Sequence, residues 1–310
     1  MHAAILSDFN RPPVYAEHPD VQASAPDSLA VDVLAAGLHH LTRAKATGRH
    51  YSSGAALPLV PGVDGVVRDS AGSLRYVALD DTRLGTFAER TVIDPQRSVI
   101  LPPNADPVTI AAAMNPAMSS WVALRRRVSM PANARVLVIG ATGAAGGLAV
   151  QVAKLLGAGH VTASGRDLAR LSTLTDLGAD ELLPLSDLAA AADVDIVLDY
   201  VWGEPVASAL IPMLTRRRDR SAHLTWIQVG SMAGPTAPIP AAALRSARLQ
   251  MVGSGIGSVA SSDIIAELPA IAEALTSGAL TIDSRAVPLS LVEQYWDAPA
   301  SERVVFVPGA

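Results

Sequence analysis

The sequence predicts an α/β chain in which a β-rich domain is joined to a doubly wound parallel sheet. Three observations predict it. Half of the 310 residues are hydrophobic but only 4% are aromatic, so the core is built from small branched side chains, as in parallel sheets covered by helices. From Arg135 onward, short apolar runs alternate with helix-prone runs at the spacing of strand–helix–strand units. Before residue 108 the pattern is period two, punctuated by Pro12, Pro13, Pro26, Pro58 and Pro61.

In chain order, Ala3–Leu6 is a short apolar strand, and Leu29, Val31 and Val33 alternate with Ala30 and Asp32 at strand period. The Leu57–Gly62 turn leads into a strand at Gly65–Val67. Val108–Ala117 and Ser119–Arg127 read as two helical stretches. Strands follow at Arg135–Ile139, His160–Ala163, Asp195–Asp199, Leu224–Val229 and Leu249–Val252. Helices at Leu148–Leu156, Leu168–Leu177 and Pro205–Leu214 separate them, and Gly157 and Gly178 close the first two. A last helix spans about Ser262–Thr276. Val304–Val307 is a final strand that must join an existing sheet, because a lone strand does not stand by itself. The pattern divides the chain into 1–118, 119–256 and a returning segment 257–310. The charged run Arg216–Arg220 reads as a solvated turn.

Composition removes several functions. A net charge of −5 argues against affinity for nucleic acid. The absence of cysteine excludes disulfides, cysteine-ligated clusters and cysteine-ligated zinc. No run approaches the ~20 apolar residues of a membrane span, and Met1–Asn10 carries no basic leader pattern. A cytoplasmic protein with no membrane partner is the expectation.

The informative motif is Gly140-Ala141-Thr142-Gly143-Ala144-Ala145-Gly146, which joins a predicted strand to a predicted helix. Glycine lets the backbone turn tightly and approach a pyrophosphate, and the helix N-terminus offers free N–H groups to it. An NAD site places a carboxylate about 20 residues on. Here the next strand ends in Ser164-Gly165-Arg166, with no acid before Asp167, which is placed to cap the helix. Ser164 and Arg166 suit a ribose 2′-phosphate, so NADPH is the expected cofactor.

Further motifs bring a resemblance into view: Val33–Gly37, Leu59–Gly65, Gly85–Glu89, Gly140–Gly157, Leu177–Asp180, Val194–Asp199, Val229–Ser231 and Val252–Ser254. Together they resemble the medium-chain dehydrogenase/reductase superfamily, and within it the zinc-independent quinone oxidoreductase (zeta-crystallin-like) branch. The resemblance implies a GroES-like β-rich catalytic domain and a Rossmann domain. It implies hydride transfer to a small electrophilic acceptor, a quinone or an α,β-unsaturated carbonyl. It also implies cofactor contacts from Ser119, where the family often has threonine, and from Gly143, Ala144 and Ala145. Gly230, Ser231, Ser254 and Gly255 are implied at strand ends. The zinc-binding members have a histidine where this chain has Val63, and a cysteine where it has His39; no metal is expected.

The acceptor side departs from the family. His39 and His40 stand where asparagine and proline are typical, and Ala44 replaces a tyrosine for which Tyr51 is a nearby substitute. Imidazole titrates in the physiological range, so His39 or His40 is a candidate proton donor; a histidine bonded within a loop or to the ribose is the other reading. Two further functions stay open. An enoyl-thioester reductase shares the chemistry but needs a basic patch for a carrier phosphate, against a pI near 5.8. A non-catalytic NADPH-binding protein is the third. The strand at Leu249–Val252 is expected at the sheet edge, where an unpaired apolar strand favours a homodimer.

Overall fold

The computed structural model describes residues 1–23, 27–48, 53, 56–79, 83–299 and 302–309. Pro26, His50 and Tyr51 lie outside them. The chain forms two compact units, Met1–Asn115 with Leu268–Ala310, and Pro116–Glu267. The composition pattern sets the changeovers at 118/119 and 256/257. The unit boundaries at 115/116 and 267/268 fall inside the continuous helices Pro107–Val122 and Ser261–Thr276, so no linker composition marks either point.

In the first unit, alternation along Leu29–Gly37 turns Val31 and Val33 inward and leaves Asp32 in water. This strand is the hub of a seven-stranded sheet. It pairs antiparallel with Asp64–Arg68, with Arg90–Ile93 and with Val304–Val307. Phe306 in that last strand meets Phe87 edge-on at 5.1 Å, which anchors the C-terminal segment in this core. A two-stranded ribbon, His2–Ile5 with Val14–Glu17, completes the strands.

The two helical stretches expected at 108–117 and 119–127 are one helix, Pro107–Val122, continued by a wider π-helical turn at Ala123–Arg127. Pro116 inside it has no N–H to give the carbonyl of Ala112. That carbonyl instead accepts from Arg303 Nε at 2.7 Å, so the proline is tolerated without a break.

The second unit is a six-stranded parallel sheet. Its strands, in chain order, are β1 (Arg135–Ile139), β2 (His160–Gly165), β3 (Glu181–Pro184), β4 (Ile196–Asp199), β5 (Leu224–Gln228) and β6 (Leu249–Gly253). Their spatial order is β3-β2-β1-β4-β5-β6, so the strand order reverses between β1 and β4, where open α/β sheets bind ligands. The expected β6 edge is observed. The third strand, β3, is short and half polar, and the apolar-run criterion missed it. The helix expected over Leu168–Leu177 closes early, at Ser172, and tightens into a 3₁₀ turn.

The charged run at Arg216–Arg220 is not simply solvated. Arg217 is buried and donates to the carbonyls of Ala192 and Val194 at 2.6 and 2.9 Å, while Arg218 pairs with Asp193. Loop carbonyls that no strand satisfies drew the guanidinium inward.

The π-helical turn is held by Glu267, whose carboxylate accepts from Trp121 Nε1 and Arg125 Nε at 2.8 Å and from Arg126 Nε at 2.6 Å. Burial alone would raise this carboxyl, but the donors and the two cations outweigh it and hold it below the ordinary glutamate range. A depressed carboxyl stabilises the fold above its unfolded value, about 4.3, and loses that contribution as pH falls through the folded one. Glu267→Gln is therefore expected to lower stability by about 1–2 kcal/mol at pH 7, discounted for the half-exposed arginines. Urea melts should show the gap to wild type closing below about pH 4.

Candidate functional site

The elbow after β1 is built by its glycines. Gly140 adopts φ +88°, a left-handed conformation open to glycine. Its N–H and that of Ala141 both donate to the Ser164 carbonyl at 2.9 Å, tying the elbow to the end of β2. The helix Ala144–Leu155 then begins at Gly143, an exposed N-cap with no side-chain capping bond. A Cβ on Gly146 would lie 2.2 Å from the Gly140 carbonyl oxygen, so only glycine lets this helix start so close to the strand. The uncapped first-turn N–H groups of Ala144 and Ala145 and the helix dipole make an anion cradle at the switch point. Thr142, half-buried, lies against Gly165. These residues fit a dinucleotide pyrophosphate.

The two residues expected to share a phosphate are separated at the end of β2, where Ser164 lies inside the buried strand and Arg166 stands just beyond it. Ser164 is fully buried, and its hydroxyl has no partner among the described residues; its contribution to the elbow is the carbonyl. Arg166 is exposed, with no ion-pair partner among the described residues. Asp167 caps the following helix through the Arg170 N–H at 3.1 Å. The cation at this strand end is thus free to meet an anion.

The other expected contacts lie at the carboxyl ends of the same sheet. Gly230 and the exposed Ser231 follow β5, while Ser254, N–H bonded to the Gln228 carbonyl, and the exposed Gly255 follow β6. Ser119 reaches the group through Tyr200, the residue after β4, with 3.0 Å between the hydroxyls. A shallow hollow of about 410 Å³ beside these ends is lined by Trp202, Trp226, Gln228, Ser231 and Met251, among others.

Asp199, the last residue of β4, organises this floor. One carboxylate oxygen accepts the N–H groups of Val201 and Trp202 at 2.8 and 2.9 Å; the other accepts Trp226 Nε1 at 3.1 Å. The turn holds Trp202 at φ +53°, a strained conformation for a bulky residue. Burial raises the Asp199 carboxyl above the usual range. The reading from the residues placed a pocket loop at Trp202 but did not single out Asp199 or Tyr200; an acid closing the otherwise apolar run Ile196–Leu198 was the available signal.

His39 and His40 belong to the first unit. His39 is buried and caps the helix His40–Ala46, its Nδ1 accepting the Thr42 N–H at 3.3 Å. Its Nε2 lies 2.7 Å from Asp64 Oδ1, and Tyr76 donates to Asp64 Oδ2 at 2.6 Å. This pairing assigns the His39 proton to Nε2. Burial drives the Tyr76 hydroxyl well above its ordinary value and brings Arg303, in the same cluster, down to about 10. Both ring nitrogens of His39 therefore face protein groups. His40 is exposed. No three His, Cys, Asp or Glu side chains gather as a metal site among the described residues.

No protein-family model matches the chain. It is 29% identical to the probable NADPH-dependent quinone reductase tdiC of Emericella nidulans, over 99% of this chain and all of that one. It superposes on the quinone oxidoreductase of Thermus thermophilus, a structure also solved with NADPH, with a TM-score of 0.84 and 23% identity over 99% of this chain and all of that one. The chain has the fold of these quinone oxidoreductases. A trans-enoyl reductase of Aspergillus terreus, pgmF, is 28% identical over 67% of this chain and 63% of its own length. Likeness to a quinone reductase spans 99% of the chain, whereas likeness to this enoyl reductase covers 67% of it.

Proposed function

We propose that the chain is an NADPH-dependent, zinc-independent oxidoreductase that reduces quinones or α,β-unsaturated carbonyls. The observation that carries this reading is the elbow at the switch point, followed by a strand that ends in a free arginine and no acid. The full-length likeness to a quinone reductase supports it. When bound, NADPH supplies the hydride. The uncapped N–H groups of Ala144 and Ala145 hold the pyrophosphate, and Arg166 pairs with the 2′-phosphate, each charge-assisted bond contributing about 1.5–3 kcal/mol. The elbow and the strand-end loops position the nicotinamide half, because hydride transfer needs reacting atoms about 3–3.5 Å apart. Of the two histidines, His40 is the one with an exposed ring to exchange the completing proton, while His39 is oriented by Asp64.

Acceptor-dependent loss of NADPH absorbance tests the whole reading, with naphthoquinones, enones and aldehydes compared. Arg166→Ala should lower the kcat/KM preference for NADPH over NADH by about tenfold or more, the value of one charge-assisted bond; an unchanged preference removes the arginine from the site. In the same assay, rates within twofold for His40→Ala would leave proton delivery to solvent, since losing a general acid lowers rates by about 10²-fold or more.

A second reading, reduction of an enoyl thioester, is favoured by the partial likeness to the trans-enoyl reductase. Turnover of crotonyl-CoA in preference to every quinone would establish it, and NADPH binding with no acceptor turned over would mark a non-catalytic binding protein. No described helix is long and apolar enough to cross a membrane. The reading places the enzyme in the cytoplasm, to be checked by cell fractionation. It pairs two copies along the open edge of β6, near which Met232, Leu244 and Ile256 expose large apolar side chains. Light scattering that returns a monomer at micromolar concentration removes the dimer.

A further inference from the structure

Tyr200 follows β4 directly and is the only tyrosine in the Pro116–Glu267 unit. Its Cβ lies against the elbow, since a Cβ on Gly140 would stand 3.3 Å from it. Its hydroxyl is buried beside two consecutive serines of the helix Pro107–Val122. Counting hydrogens decides which way these groups point. Ser119 has one hydroxyl proton and gives it to the carbonyl of Pro116 at 2.7 Å. Ser120 gives its own to the carbonyl of Ala117 at 3.2 Å. Neither serine has a proton left for the phenol, so the 3.0 Å contact is Tyr200 O–H donating to Ser119 Oγ. Burial pushes the Tyr200 hydroxyl up to about 12, so it keeps that proton across the neutral range.

Ser119 is half-buried. With its proton spent on Pro116 and one lone pair taken by Tyr200, its oxygen has a single remaining capability, which is to accept. A phosphate oxygen, itself an acceptor, gains nothing there. We propose that Tyr200 is a positioning residue that locks Ser119 as a hydrogen-bond acceptor toward the dinucleotide, so that this position reads an N–H or O–H of the cofactor and not a phosphate oxygen. The inference rests on the NADPH reading above. Two donors on the nicotinamide half share this chemistry: the carboxamide N–H and the ribose hydroxyls.

The test is a fluorescence titration of wild type, Ser119→Ala, Tyr200→Phe and the double variant. Each is titrated with NADPH and with its reduced 3-acetylpyridine analogue, which lacks the carboxamide N–H. Each single variant should bind NADPH about 3–10-fold more weakly, the range of one hydrogen bond, and the double variant no more weakly than either. If the carboxamide is the donor, the Tyr200→Phe effect vanishes with the analogue; if a ribose hydroxyl is, it persists. Both outcomes support the proposal. Ser119→Thr, which keeps the hydroxyl and its bond one turn back, should retain wild-type affinity and its sensitivity to Tyr200→Phe. Unchanged affinity in Tyr200→Phe overturns the proposal, as do single effects that multiply in the double variant. A loss confined to Ser119→Ala also overturns it, being the signature of a serine that donates to phosphate. Wild-type protein that fails to bind NADPH strikes the cofactor reading itself, which separates the two failures. Thermal melts of Tyr200→Phe, which keeps the ring, establish that the fold is intact before affinities are compared.

Discussion

Gly146→Ala is expected to weaken NADPH binding by about 10–100-fold and to destabilise the chain, while the same substitution one residue later is expected to do neither. The added Cβ at Gly146 would sit 2.2 Å from the Gly140 carbonyl oxygen and 2.6 Å from Ala141 Cα. Both neighbours are backbone, so the elbow itself must move. Overpacking of this kind costs about 1–3 kcal/mol, and each 1.4 kcal/mol lost from the cradle is tenfold in affinity. At Gly147, in the same helix, the nearest atoms, the Ala141 carbonyl oxygen and Leu174 Cδ2, are 3.6 and 3.8 Å away, an ordinary van der Waals contact. There alanine should raise stability by about 0.5–1 kcal/mol through helix propensity alone. Denaturant melts and NADPH titrations of the two variants side by side read both effects. Equal behaviour at the two positions would mean that the helix does not start against the elbow as described.

The second large effect is expected at Asp199. Asp199→Ala leaves the N–H groups of Val201 and Trp202 and the buried indole N–H of Trp226 without their acceptor. Each stranded donor costs about 1–3 kcal/mol, so a loss of about 3 kcal/mol or more is expected in urea melts. The turn that holds Trp202 at φ +53° should relax with it. Asp199→Asn is the finer probe. Its amide oxygen can still accept the two backbone N–H groups, but its NH2 then meets the Trp226 indole N–H, donor against donor. The asparagine substitution should therefore cost less in a Trp226→Phe background, where that donor is gone, than with tryptophan present. A strictly additive double-mutant cycle would show that the carboxylate and the indole are not coupled.

Much of the architecture was legible in the residues because it rests on local rules. The apolar run Val136–Ile139 ending in glycine, then a small-residue helix, could be read as strand, elbow and helix without any tertiary contact, and the structure has them there. The helix was read as two stretches, Val108–Ala117 and Ser119–Arg127, and a sequence cannot show that an arginine 187 positions after Pro116 satisfies the carbonyl the proline abandons. Arg217 was read as solvated for the same reason: charge predicts exposure until unsatisfied loop carbonyls reward burial. At the candidate site, the glycine elbow and the exposure of Arg166 were legible, because they follow from backbone freedom and from charge. Ser164 was assigned through its hydroxyl, but its strand is buried on both faces and that hydroxyl with it. The pairing of His39 with Asp64 and Tyr76 joins segments 25 and 37 residues apart, beyond the reach of any periodicity.

What the sequence by itself determined is therefore the alternation of elements, the nucleotide elbow and the sign of charge beside it. These follow from side-chain size, backbone permissiveness and ionisation, which each residue carries wherever it is placed. Only the tertiary structure decided which polar atoms are already committed: that Ser119 has spent its proton, that both nitrogens of His39 are engaged, and that Asp199 holds three donors at once. Hydrogen-bond capacity is finite, and how it is shared depends on neighbours that the fold alone brings within 3 Å.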